Sequence, residues 1–214
     1  MAESSAPTSP PAEGGSEERP AMQQQISQED IGEQAAILLR HFIADRFERE
    51  GVENAPTREQ IVGDESQADS EVWVQIGSTL RQIGDILDQD EELQRMIDSV
   101  PDESPIEAII AVAQVIFGDG DINWGRIIGA FYFAYRMCVK ALDRMMRENL
   151  PAWINVLVKE MVKFLVVRFA DWIINRGGWQ AVKEYFGSTP PAVWNTLIVI
   201  SILSILYGFY KLRK

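Results

Sequence analysis

Between Ile127 and Leu142 only Arg136 and Lys140 carry a charge, and apolar side chains fill nearly every direction around the segment. Asn123 stands just before it as a helix N-cap, and the helix reaches to about Met146. A helix that is apolar nearly all round has to be covered by protein on all sides. It therefore predicts a bundle built around this segment, with amphipathic helices as its neighbours.

Those neighbours are legible in the spacing of apolar residues. Ile31, Ala35, Leu38, Leu39, Phe42, Ile43 and Phe47 recur at three and four, which predicts a helix over about 26–50, capped by Ser27 and stopped at Gly51. His41 lies beside that stripe and reads as a surface residue. A second helix is expected over about 71–99, before Pro101. The run Ser104-Pro105-Ile106-Glu107 reads as a capping box that starts a short apolar helix to Phe117, and Gly118-Asp119-Gly120-Asp121 breaks it. Pro151 sits in the first turn of a helix over about 150–169; a shorter one follows over 170–176, Gly177-Gly178 ends it, and a last short one covers 179–186. No stretch alternates with the period of a strand, so the class is all-α: eight to nine helices around a central hydrophobic one.

Hydrophobic residues make up 46% of the 214, enough to bury a core. The net charge is −12, of which residues 1–70 (15 acids, 5 bases) carry −10 and residues 71–214 (17 acids, 15 bases) carry −2. That balance argues against a nucleic-acid partner, which needs a basic face. Residues 1–25 read as a disordered tail, since 1–22 contain no Val, Ile, Leu or Phe. Residues 26–187 form the bundle, with 51–70 as a flexible loop and 188–214 as a separate terminal segment. A lone Cys138 forms no internal disulfide and reads as core. A lone histidine excludes a multi-histidine metal site. Asp119-Gly120-Asp121-Ile122-Asn123 imitates the start of a calcium loop, but its sixth position is Trp124 and its twelfth Ala130, where such a loop needs Gly and Glu. No nucleophile–base set or phosphate loop appears. No enzyme activity, cofactor or metal is therefore expected.

The terminal segment has a chemistry of its own. Ala192 to Tyr210 is 19 residues without a charge, with Leu197, Ile200, Leu203 and Leu206 in its apolar body. As a helix it spans about 28 Å, close to the roughly 30 Å of a hydrocarbon core. Trp194 and Tyr210 lie near its ends, where aromatic rings suit a membrane interface, and Lys211, Arg213 and Lys214 follow. The pattern predicts a C-terminal membrane anchor. Asn195, Thr196, Ser201 and Ser204 also suit a helix that packs on protein, so insertion would be conditional.

Three constellations remain. Ile76, Leu80, Ile83 and Leu87 are spaced four, three, four on one stripe, interrupted by Gly84 and Asp85. Glycine within a helix costs about 1 kcal/mol relative to alanine, a cost that fits the close approach of another helix. Asp85 beside an apolar stripe wants a cation. Asn123-Trp124-Gly125-Arg126 supplies a cap, a close-approach glycine and, in Arg126, a candidate partner for Asp85. Trp172 and Trp179 flank the break at Gly177-Gly178.

In this order, followed by an anchor, the three resemble homology regions three (Leu80 to Asp88), one (Gly118 to Arg126) and two (Trp172 to Trp179) of the Bcl-2 family of apoptosis regulators, over about residues 26–214. The stretches Glu92-Leu93-Gln94-Arg95-Met96-Ile97 and Phe131-Tyr132-Phe133-Ala134, and Gly178-Trp179 followed by Tyr185-Phe186-Gly187, resemble the family's pro-apoptotic effector branch. The resemblance implies a groove that accepts the homology-three (BH3) helix of a partner, homo-oligomers, and permeabilisation of the mitochondrial outer membrane by a protein of cytoplasm and that membrane. Its partners would be BH3 helices, other family members and outer-membrane lipid. Four stripe residues at roughly 1.5–3 kcal/mol each give a gross ceiling near 6–12 kcal/mol for docking that helix, inside its own bundle or in another's groove. At rest, Asp85 is expected near Arg126. A guardian that sequesters BH3 partners without forming pores shares most of these features; a tail-anchored scaffold or a toxin-like pore former shares fewer.

Overall fold

A computed structural model describes residues 26–63, 71–100, 106–118, 120–144 and 148–187. They form α1 (Gln28–Arg49), α2 (Arg58–Val62), α3 (Glu71–Asp88), α4 (Glu91–Asp98), α5 (Ile106–Ile116), α6 (Trp124–Leu142), α7 (Leu150–Asn175) and α8 (Ala181–Gly187), with no strand among the described residues. The N-terminal tail, the Ser104-Pro105 cap, Asp119, the Met145-Met146 pair and the whole of 188–214 lie outside the described residues. With them lie the anchor residues Trp194, Leu197, Ile200, Leu203, Leu206, Tyr210, Lys211, Arg213 and Lys214. Among the described residues no helix is long and apolar enough to cross a membrane.

α6 is the central helix that its composition predicts. Asn123 caps it by accepting the Arg126 N–H at 2.9 Å, and every residue from Trp124 to Tyr135 is buried. Two of its three cations, Arg136 and Lys140, reach out to α4. Lys140 donates to the carbonyls of Ile97, Asp98 and Val100 at 3.0, 2.9 and 2.7 Å, satisfying acceptors that a helix C-terminus leaves open, and Arg136 pairs with Asp98 at 3.5 Å. Cys138 is fully buried, and desolvation pushes its thiol well above the usual range, so it is a core residue and no nucleophile.

α1 lies as deep as α6, between α7 and α3. Ser27 caps it in a reciprocal capping box with Asp30, and Gly51 follows at φ +60°. Gly32 lets α7 come close: a Cβ there would stand 3.0 Å from Val166 Cγ2. The spacing predicts one buried stripe on α1, whereas the structure also buries His41, Asp45 and Arg46, because α2 and α3 close over the helix's polar side. His41 is therefore not the surface residue it reads as: it is 5% exposed, its ring stacked on Trp73 at 5.2 Å.

Three helix boundaries also differ. The segment read as one helix over 71–99 is two, since Asp90 accepts the Leu93 N–H at 2.8 Å to start α4 and Gln94 Nε2 donates to the Leu87 carbonyl at 2.7 Å. The two helices expected over 150–176 are one, because no glycine or further proline interrupts the chain before Gly177. There Gly177 and Gly178 adopt φ +95° and +79°, and their N–H groups close the helix on Ile174 and Ile173. Within the 51–70 loop, Thr57 caps α2, whose Ile61 is buried.

Candidate functional site

The predicted stripe is the inner face of α3. Ile76, Leu80, Ile83 and Leu87 are all 0% exposed, and the packing continues one turn earlier to Trp73 and Val72. Gly84 has the role its cost implies. A Cβ at this position would meet Arg46 Nη1 at 3.1 Å, Arg46 Cδ at 3.3 Å and Phe42 Cζ at 3.3 Å, so the missing side chain is what lets α3 lie against α1.

Asp85 does not pair with Arg126 in this state. Its two oxygens accept from Arg46 Nη1 at 2.7 Å and Arg49 Nη2 at 2.8 Å, both on α1. Arg46 is the centre of the cluster: 2% exposed, it also binds Glu50 at 2.7 Å and Asp88. Burial by itself would lower its pKa, but the carboxylates of Glu50 and Asp85 outweigh that and raise it, so the guanidinium stays charged. Asp88 also accepts from the Tyr132 hydroxyl, which accepts from Gln94 Nε2 at 2.7 Å. One chain of polar contacts thus ties α3 to α1, α4 and α6. A second ion pair, Arg81 to Asp45 at 2.7 Å, lies a turn away on the same interface.

The correction has a simple physical origin. Arg126 is at the start of α6, where its Nη1 donates to the Asp121 carbonyl at 2.7 Å and its side chain is nearly buried. Asp85 is on the α3 face turned to α1 and is 41% exposed. Sequence reasoning therefore misses Arg46, Arg49 and Asp88. The available signal is the run Asp45-Arg46…Arg49-Glu50 beside the apolar stripe of α1, which places cations where a neighbouring helix can meet them.

The other predicted residues come together at the opposite end. Trp124 packs against Trp172 at 5.1 Å and Trp179 at 5.7 Å between ring centroids, and Phe131 reaches Trp179 at 5.8 Å. Gly125 is buried beside them, and Trp172 is half-buried under the Arg176 guanidinium. Trp179 Nε1 donates to the Ile31 carbonyl at 3.1 Å, so the turn made by Gly177 and Gly178 fixes the start of α1. No group of three or more His, Cys, Asp or Glu among the described residues is placed to hold a metal ion.

The chain is similar to "Apoptosis regulator BAX" of Homo sapiens, with 36% identity over 197 residues, 92% of this chain and 97% of that protein. This chain belongs to the Bcl-2 family. The family described as "Apoptosis regulator proteins, Bcl-2 family" matches residues 80–179, which run from the second stripe residue of α3 to Trp179. Two solved structures carry the same fold. The crystal structure of chicken BOK covers 74% of this chain and 98% of its own, with a TM-score of 0.56 at 20% identity. Trichoplax adhaerens trBcl-2L2 bound to trBak BH3 covers 75% and 99%, with a TM-score of 0.55 at 16% identity. The chain is thus an apoptosis regulator of the Bcl-2 family in which the segment resembling BH3 lies inside its own bundle.

Proposed function

We propose that this protein is a pro-apoptotic effector: α3 leaves its bundle, docks in the groove of a second copy, and the oligomers breach the mitochondrial outer membrane. The observation that carries the reading is the mixed character of the α3–α1 contact. Its inner side is an apolar stripe worth several kcal/mol. Its outer side is an ion-pair cluster whose Asp85, Asp88 and Glu50 reach water, so an incoming charged helix can compete for Arg46 and Arg49. The similarity to BAX over most of the chain supports the effector role. Trichoplax adhaerens trBcl-2L2, a protein of this fold, is bound to the trBak BH3 segment, which supports helix-in-groove docking here. In the docked state Asp85 would exchange its α1 arginines for Arg126 of the second copy.

Dye release from liposomes of outer-membrane composition tests this. Wild type is expected to release dye when a BH3 peptide is added, with release rising with protein concentration. Asp85→Arg is expected to abolish release, because the new cation faces Arg126 in the docked pair. Full release by Asp85→Arg would remove the docking step. Peptide binding without release, together with suppression of a known effector, would make the protein a guardian.

The charge-free segment 192–210 with Lys211, Arg213 and Lys214 supports a C-terminal anchor and shuttling between cytoplasm and outer membrane. Deleting residues 188–214 is expected to move the protein from the mitochondrial to the soluble fraction of cells. Equal membrane recovery would dismiss the anchor.

A further inference from the structure

Arg46 is met by a third helix as well as by α1 and α3. Its N–H groups are spread over three acids: Nε and Nη2 donate to one oxygen of Glu50 at 3.0 and 2.7 Å, Nη1 donates to Asp85 at 2.7 Å, and Nη2 also meets Asp88. All three acids reach water, and a carboxylate in water is a loose partner. The ring of Tyr135, on α6, is a different kind of neighbour. Arg46 Cζ stands over it, 5.9 Å from the centroid, within the range of a cation–π contact. Tyr135 is fully buried, and its ring is packed by Phe47 of α1, edge-on at 5.5 Å, and by Tyr132 at 6.2 Å. Burial first, and then Glu50 beside the hydroxyl, push the phenol well above its usual range, so it stays neutral.

Two arrangements are open to such an arginine. Glu50 is one turn further along the same helix, so the Arg46–Glu50 pair can form within α1 whether or not α3 is in place. An arginine stem is long and rich in rotamers, and a pair with Glu50 alone leaves Nη1 to turn toward water. The second arrangement is the one observed, in which Nη1 and Nη2 reach across to α3. There Gly84 gives the guanidinium room, since a Cβ would stand 3.1 Å from Nη1. Of the groups around Arg46, the Tyr135 ring is the one that is both rigid and shut away from water, so it favours the second arrangement over the first.

We infer that Tyr135 is a positioning residue for the cluster that holds α3: its ring keeps the Arg46 guanidinium turned toward α3, so that the cation binds Asp85 and Asp88 as well as Glu50. The inference rests on the reading that undocking of α3 is the switching step. It gives α6 a part in the resting state. The helix that would offer Arg126 to Asp85 of a second copy also braces the cation that holds Asp85 within its own bundle. Loosening the brace therefore lowers the amount of BH3 peptide needed for activation.

A double-mutant cycle in the full chain separates bracing from ordinary core packing. Tyr135→Leu removes the ring face and Tyr135→Phe keeps it; Tyr135→Met takes the place of leucine if that chain does not fold. Each is made in wild type and in a chain carrying Asp85→Asn and Asp88→Asn, where Arg46 has lost both of its acids on α3. Tyr135→Leu is expected to lower hydrogen-exchange protection over residues 80–88 about fivefold more in wild type than in the asparagine chain. Tyr135→Phe is expected to match its parent in both. Lost packing lowers protection equally in the two backgrounds, so an equal loss overturns the proposal, as does Tyr135→Phe behaving like Tyr135→Leu. Nitrogen NMR of Arg46 is a second readout that decides alone if the asparagine chain does not fold. With Nη1 and Nη2 held by α3, the guanidinium turns slowly about Nε–Cζ. Tyr135→Leu is expected to speed that rotation about fivefold and Tyr135→Phe to leave it unchanged; unchanged rotation in Tyr135→Leu overturns the proposal. Liposomes separate the two readings: coupling between Tyr135 and the α3 acids with no dye release under any condition keeps the brace and discards the pore.

Discussion

Replacing Arg46 with methionine is expected to cost about 3 kcal/mol of folding stability and to make dye release independent of an activating peptide. Arg46 is 2% exposed and holds Asp85, Asp88 and Glu50 at once. Methionine fills much of the volume but supplies no donor, so Glu50, Asp85 and Asp88 lose their shared cation, and only Arg49 and the Tyr132 hydroxyl remain for Asp85 and Asp88. Removing one partner of a buried ion pair costs about 3–5 kcal/mol, and the lower end applies because these carboxylates reach water. The loss falls on the α3–α1 contact, which is the contact that activation must break. Urea denaturation gives the stability change and liposomes give the release. Adding Asp85→Asn and Asp88→Asn to Arg46→Met should recover part of the stability, since two of the three charges that lost Arg46 are then gone. If Arg46→Met is as stable as wild type and still waits for the peptide, the ion-pair cluster is not the latch.

Trp179→Ala is expected to be the most destabilising single substitution in the second constellation. Trp179 is fully buried, packed on Trp124 and Phe131, and bonded to the Ile31 carbonyl. Truncating a buried tryptophan costs about 3–5 kcal/mol through lost contacts and a cavity. The Ile31 carbonyl keeps its helical partner within α1, so the lost indole hydrogen bond adds about 1 kcal/mol. Trp179→Phe keeps a ring and loses the hydrogen bond, so it should fall between alanine and wild type. Chemical denaturation of the three proteins checks the order. A loss near the 0.5 kcal/mol of an ordinary surface substitution would mean that the α7–α8 turn is not fixed to α1 as described.

These two residues differ in how far the sequence announces them. Trp179 stands out beside Gly177-Gly178, because paired glycines before a tryptophan mark a forced turn. Its partner, the Ile31 carbonyl, does not, because any backbone carbonyl could serve. Arg46 is marked only by the charged run Asp45-Arg46…Arg49-Glu50, which does not name its partners. It sits on a helix whose apolar spacing is satisfied without it, and its three acids come from positions 50, 85 and 88. The same limit produced the mistaken Asp85–Arg126 pairing in the resting bundle. The demand of Asp85 for a cation is local chemistry, but which cation answers depends on which helix lies alongside α3. His41 departs from its sequence expectation for a related reason: a position beside an apolar stripe is exposed only if nothing covers that side of the helix.

The sequence by itself determined the all-helical class, the buried stripe of α3, the need for glycine at position 84, and the central place of α6. Each follows from the 3.6-residue period or from a cost paid within one helix, and such information is complete in a short window of residues. Tertiary structure alone decided that α1 rather than α6 holds Asp85 and that His41 is enclosed. These depend on contacts between residues far apart in the chain. Spacing gives the direction of a side chain around its own axis but says nothing about what stands opposite.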